Sequence, residues 1–170
     1  MTRCETVPTN LESNPMGVVY VRELSLKYRG PRRGLSFDAV GSPVKAAAFM
    51  RRVLPDNVRE HFLALFLDNR HQVTSYFVLA TGTAASCPVG TRELFQAALL
   101  AGASSLIVGH NHTSGQNAAE LFPSPEDVAV THRLSAAGDL LGIPVLDHLI
   151  VGNSGLYSFS EQGQMRPRTP

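Results

Sequence analysis

Two short words of this sequence carry groups that could do chemistry together: His110-Asn111-His112-Thr113-Ser114-Gly115 and, after a polar loop, Pro123-Ser124-Pro125-Glu126-Asp127. Before the first lies Ser105-Leu106-Ile107-Val108-Gly109, an apolar, β-branched run too short for a typical helix, which reads as a buried strand. Residues two apart on an extended segment point to the same side, so His110 and His112 can aim their rings at one point. Ser124 reads as an N-cap with Pro125 at the first helical position, and the helix start turns Asp127 back toward the strand end. Two imidazoles, one carboxylate and an open fourth position describe a hydrolytic zinc centre. The competing reading of Ser124 and Asp127 is a capping box. It accounts for the serine but leaves both histidines without a partner, so Asp127 is preferred as third ligand.

The elements that must hold these groups follow from the periodicity. Ser42-Pro43 opens a helix with Val44, Ala47, Ala48 and Leu54, ended by Pro55. Glu60 to Leu67 is apolar on both faces and reads as a central strand. Asp68-Asn69-Arg70 turns the chain, and His71 to Leu79 returns as the second half of an antiparallel hairpin closed by Gly82-Thr83. A helix from Arg92 to Leu100 is stopped by Gly102, and the longest helix runs from Ser124 to Gly142. Val145 to Val151 and Gly155 to Ser160 read as further strands. Helices alternating with partly hairpin-linked strands predict an α/β fold, a mixed sheet with helices on both faces.

Residues 1–41 are expected to form an extension: a loose tail to residue 16, then a strand from Gly17 to Arg22 continued by Glu23 to Tyr28. Arg29-Gly30-Pro31-Arg32-Arg33-Gly34 is a basic turn, more often a solvated hairpin tip than a phosphate-contacting loop. The main domain is expected over 42–170, its tail from Met165 to Pro170 frayed.

Composition narrows the class. A chain of 170 residues with 44% hydrophobic content is long enough for one domain with a proper core. Fifteen Lys and Arg against 14 Asp and Glu create no general field favouring nucleic acid or an acidic membrane. Cys4 and Cys87 are far apart and form no disulfide framework, which fits a reduced, cytoplasmic setting. No run approaches a membrane span and the N-terminus has no apolar signal core, so neither a membrane nor export is expected. Nothing in the sequence speaks to oligomeric state.

His-x-His, a loop and Ser-x-x-Asp resemble the metal signature of the JAMM (MPN-type, JAB-domain) metallopeptidases. More narrowly, the chain resembles the RadC family, through His110-Asn111-His112-x-Ser114-Gly115, Pro123-Ser124-x-x-Asp127, Leu146-Asp147-His148-Leu149-Ile150-Val151-Gly152, and the earlier Arg59-Glu60-His61-Phe62 with Phe66-Leu67-Asp68-Asn69. The likeness runs from about Ser42 to Gly163. It departs from the family in a longer loop between His112 and Ser124, in Thr113 where proline is usual, in an insertion at Val89-Gly90-Thr91, and in Cys87 where histidine is frequent. The resemblance implies a three-layer α/β/α MPN domain, similar in layer plan to cytidine deaminases. It also implies Zn²⁺ on His110, His112 and Asp127, Glu60 as general base and later general acid, and Ser124 on the oxyanion of the tetrahedral intermediate. By position alone, Glu60 at a strand start would be an ordinary exposed glutamate.

The expected activity is therefore metal-assisted attack of water on an amide, with a peptide, an isopeptide or another amide as substrate. The alternative is a DNA-repair or DNA-processing accessory protein with a non-catalytic metal site, using Arg29, Arg32, Arg33, Arg51 and Arg52. Nucleic acid is the weaker partner, because the first 41 residues lack the helical pair that often precedes this domain in RadC proteins. Asp147-His148 reads as a buried pair orienting the site or the strand, His61 as structural, His71 and His132 as surface residues, and Cys87 as a small core residue. Absence of H-E-x-x-H excludes the common zincins, and absence of H-x-E with P-C-x-x-C excludes the zinc deaminases. The chain is too short for the usual eightfold barrel and has no glycine-rich phosphate loop or dinucleotide fingerprint.

Overall fold

A computed structural model describes residues 40–54, 59–82, 89–112, 121–153 and 155–165. The expected N-terminal strands, the basic turn at 29–34, both cysteines, the loop at 113–120 and the tail at 166–170 lie outside the described residues. The elements are α1 (Pro43–Val53), β1 (Glu60–Leu67), β2 (Val73–Gly82), α2 (Thr91–Leu100), β3 (Ser105–Asn111), α3 (Pro125–Leu141), β4 (Val145–Val151) and β5 (Leu156–Ser158). The strands form one mixed sheet in the order β2-β1-β3-β4-β5. β3 and β4, joined through α3, are parallel, and the other neighbouring pairs are antiparallel.

Alternation along the buried strands sorts their side chains between two faces. Phe62, Ala64 and Phe66 of β1 join Leu106 and Val108 of β3 against Leu94, Phe95 and Ala98 of α2 and Leu134 of α3. Leu63, Leu65 and Leu67 point the other way, with Ile107, Leu149 and Val151, onto Ala46, Ala47, Phe49 and Met50 of α1. Full burial of each large apolar side chain contributes about 1.5–3 kcal/mol, so both faces drive the assembly. This is the three-layer α/β/α arrangement.

Several boundaries differ from the sequence reading, for local reasons. β2 starts at Val73 because His71 has φ 56° in the turn, where Asp68 Oδ1 accepts the backbone N–H groups of Arg70 and Gln72 at 2.8 and 2.9 Å. β3 runs past Gly109 to Asn111 because both neighbours keep pairing with it, Phe62 opposite His110 and Val151 opposite Asn111. β5 stops at Ser158, since the N–H of Ser160 goes to Asp147 Oδ1 at 2.9 Å instead of a neighbouring strand. No helix among the described residues is long and apolar enough to cross a membrane.

α3, which starts at the site, is seated by a close backbone approach. A Cβ on Gly138 would lie 2.6 Å from the carbonyl oxygen of Ile143 and 3.2 Å from the nitrogen of Val145. Alanine normally stabilises a helix interior relative to glycine by about 1 kcal/mol. Here the clash with backbone reverses the sign, and Gly138→Ala is expected to lower unfolding free energy by about 1–3 kcal/mol in urea titrations.

Candidate metal centre

His110 is the penultimate residue of β3 and His112 follows the strand, so both rings emerge on the α2–α3 face. Phe62, paired with His110 across β1–β3, lies nearly parallel to its ring at a centroid distance of 6.0 Å. Asp127 arrives in the first turn of α3. Its Oδ2 accepts the backbone N–H and the hydroxyl of Ser124, both at 2.8 Å, while Ser124 Oγ accepts the N–H of Asp127 at 3.1 Å. The capping box and the ligand reading are thus compatible. Ser124 holds Oδ2, and Oδ1 faces His110 Nε2 at 3.3 Å.

The three residues form a donor set that could hold a metal ion, with one ligand atom from each within 4.8 Å of the others. His110 Nε2 and His112 Nε2 are 3.0 Å apart, and His112 Nε2 lies 3.9 Å from Asp127 Oδ2. Metal–nitrogen bonds of about 2.0–2.1 Å at tetrahedral angles put neighbouring donors roughly 3.3 Å apart. The two shorter separations are close to that edge, and the residues therefore fit a small divalent cation.

Hydrogen bonding behind His110 settles which nitrogen is bare. Thr131 Oγ1 is 2.6 Å from the carbonyl oxygen of Asp127, which can only accept, so the hydroxyl proton points there. The same oxygen is 2.6 Å from His148 Nδ1 and must accept from it. His148 Nε2 is then an acceptor, and at 2.9 Å it takes the proton of His110 Nδ1. His110 is left with a bare Nε2 directed at His112 and Asp127. His148 itself lies between Phe159, stacked at 4.8 Å, and the edge-on ring of Phe62 at 5.4 Å.

This dry packing keeps both rings neutral. Burial brings His110 from its ordinary 6.5 down to about 4, against the pull of the Asp127 carboxylate and with help from His112. Burial also holds His148 well below the usual range, with His110 and His112 adding to the effect.

Glu60 opens β1, half-buried. Continuing the Phe62–His110 register by two residues sets Glu60 opposite His112, on the face that carries the cluster. Asn111 fixes that position: its Oδ1 accepts the N–H of His61 and its Nδ2 donates to the carbonyl of Arg59, both at 2.8 Å. The asparagine between the two histidines thereby grips the peptide groups flanking Glu60. The sequence reading gave Asn111 and Thr131 no role; they come together only through strand register and the first turns of α3.

Asp147 and His148 are both buried and joined by the His148 N–H, which donates to Asp147 Oδ1 at 2.8 Å, while their side chains serve different elements. His148 turns to His110, whereas Asp147 accepts from the Ser158 hydroxyl at 2.6 Å and the Ser160 N–H, bracing β5 and the turn after it. Burial pushes the Asp147 carboxyl up, opposed by these hydrogen bonds. His61 is buried on the opposite face, with Nδ1 3.0 Å from Thr81 Oγ1. His71 and His132 are exposed.

A three-layer domain with a mixed sheet and a His-His-Asp cluster between a strand end and a helix start belongs to the JAB, or MPN, class. The RadC-like JAB domain matches residues 40–164, and the chain belongs to that family. It is 36% identical over 143 residues to a UPF0758 protein of Geotalea uraniireducens, covering 84% of this chain and 60% of the relative. A UPF0758 protein of Xylella fastidiosa strain Temecula1 is 39% identical over 132 residues, covering 78% and 56%. One from Acidithiobacillus ferrooxidans is 41% identical over 126 residues, covering 74% and 54%. The chain spans little more than half the length of these curated relatives.

Two expectations follow from the buried imidazoles. Below pH 6.5 the unfolded chain takes up protons that folded His110 refuses until about pH 4. Stability of metal-free protein is therefore full above pH 6.5 and declines as pH falls toward 4, which thermal melts across that range will show. Removing the acceptor behind His110 by His148→Ala should weaken binding of Zn²⁺, used as probe ion, by about 10–100-fold in a chelator competition. The exposed His132→Ala, on α3, the helix that carries Asp127, should leave it unchanged.

Proposed function

We propose that this domain is a zinc-dependent hydrolase of the JAMM type that cleaves an amide bond in a peptide, isopeptide or smaller molecule. The observation that carries the reading is the compact His110, His112 and Asp127 donor set with Glu60 on the same face of the sheet end. His110 and His112 offer nitrogen donors and Asp127 an oxygen. When bound, Zn²⁺ supplies a Lewis acid that lowers the pKa of water from 15.7 toward about 7.

Glu60 receives the proton of the attacking water and returns it to the departing amine, a role that requires a carboxylate anchored at fixed reach. Asn111 provides the anchoring through the peptide groups on either side. Ser124 steadies the oxyanion by turning its hydroxyl proton from Asp127 Oδ2 to the developing charge. The Ser124 N–H still donates to that carboxylate oxygen, so Asp127 keeps its orientation during the turn.

The nucleic-acid reading has less support. Arg29, Arg32 and Arg33 lie outside the described residues, and Arg51 is half-buried, donating to the backbone carbonyls of Gly152 and Gly155.

Elemental analysis of purified protein is the direct test. Wild type should carry about one zinc per chain, and His112→Ala and Asp127→Ala should lose it. Glu60→Gln should retain zinc but fall about 10²–10⁴-fold in amide hydrolysis against a peptide and N-acyl amino acid panel. A wild type that stays metal-free after zinc addition would overturn the proposal.

A further inference from the structure

A cavity of about 120 Å³ opens beside the cluster at the carboxyl ends of the parallel strands β3 and β4. That end of an open α/β sheet is where ligands commonly bind. His112 forms one wall, so the cavity adjoins the metal centre directly, and Arg51, Leu54, Asn111 and Asn153 line the rest.

Arg51 is the informative member. It stands in the last turn of α1, half-buried, and donates through Nε to the Gly152 carbonyl at 3.0 Å and through Nη2 to the Gly155 carbonyl at 2.7 Å. Those bonds explain how α1 is fastened to the β4–β5 turn. They do not neutralise the charge, since carbonyls contribute only dipoles. No carboxylate among the described residues pairs with Arg51. A guanidinium has more N–H donors than the two used here, and its planar fork matches a carboxylate. A half-buried cation without a counter-charge among the described residues, lining a polar cavity against His112, is therefore ready to take an anion.

We infer that the Arg51 cavity is a subsite for a free carboxylate of the substrate. The inference rests on the hydrolase reading and narrows it. The bond cleaved lies near a carboxylate in the substrate, because the cavity shares His112 with the cluster. C-terminal peptide bonds and N-acyl amino acids meet that requirement, and mid-chain amides without a nearby carboxylate do not.

The test compares N-acetylglycine with N-acetylglycinamide by NMR titration of the whole protein, both chelator-treated and zinc-loaded. Metal-free wild type should bind the carboxylate about tenfold more tightly than the amide, the usual margin for a hydrogen-bonded charge. Arg51→Gln should bring the two to parity with zinc content unchanged. Because that change also removes the fastening to Gly152 and Gly155, Asn153→Asp provides an independent arm. It leaves the Arg51 bonds in place and sets a negative charge on the cavity wall, and should weaken the carboxylate several-fold while sparing the amide. Equal affinities in wild type, or a preference seen only with zinc and indifferent to both variants, would overturn the subsite. Zinc content separates the two readings: a zinc-free wild type that still shows Arg51-dependent binding refutes the hydrolase and keeps the anion site.

Discussion

A buried imidazole can donate a lone pair to a cation only if its other nitrogen has somewhere to place a proton, and the hydrogen bond from His110 to His148 meets that condition. Its direction is set from outside the pair. The Asp127 carbonyl can only accept, and this single fact propagates through Thr131 and His148 to leave His110 Nε2 bare. The circuit begins on the backbone of one donor residue and ends on the ring of another. The relative placement of β3, β4 and α3 is thus written into the protonation pattern of the site. A sliding strand or a displaced helix start would leave a buried donor unsatisfied, at a cost of about 1–3 kcal/mol.

The helix start does two tasks with the same atoms. A capping carboxylate normally spends both of its oxygens near the helix terminus or in water. Here Oδ2 alone satisfies the Ser124 N–H and hydroxyl, and Oδ1 is free to turn toward His110. The helix dipole favours negative charge at this end, where the Asp127 carboxylate stands beside the two histidines. Local helix chemistry and metal-site chemistry reinforce each other, and opposing them as alternatives was the limitation of reading the sequence alone.

What the sequence disclosed was local. Glu60–Leu67 and Val145–Val151 were legible to the residue because their apolar runs end abruptly, and α3 because Ser124-Pro125 and Gly142 mark its limits. His110, His112 and Asp127 were legible because strand period and helix capping bring them to one spot without knowledge of the sheet. His148, Thr131, Asn111 and Arg51 acquire their meaning otherwise. His148 reaches His110 only because β4 lies parallel to β3 with Val108 opposite His148. Asn111 meets Arg59 and His61 across an antiparallel pair, and Arg51 meets Gly152 and Gly155 because the end of α1 lands on a distant turn. Register and docking are properties of the assembled layers, and no short stretch of sequence encodes them.

The mixed character of the sheet has a chemical consequence. β1 runs antiparallel to β3, while β4 runs parallel to it, so the beginning of β1 and the ends of β3 and β4 meet at one edge. An all-parallel arrangement would send the Glu60 end of β1 to the far side of the sheet. With the observed directions, the glutamate at a strand start, the histidines at a strand end and the cavity beyond Val151 occupy the same rim. Asn111 holds this edge closed at the point where regular pairing runs out, using side-chain groups that imitate one more rung of backbone hydrogen bonds. Glu60 therefore stands past the last β1–β3 pair, still paired with Gly82 of β2, and is gripped through the peptide groups on both sides.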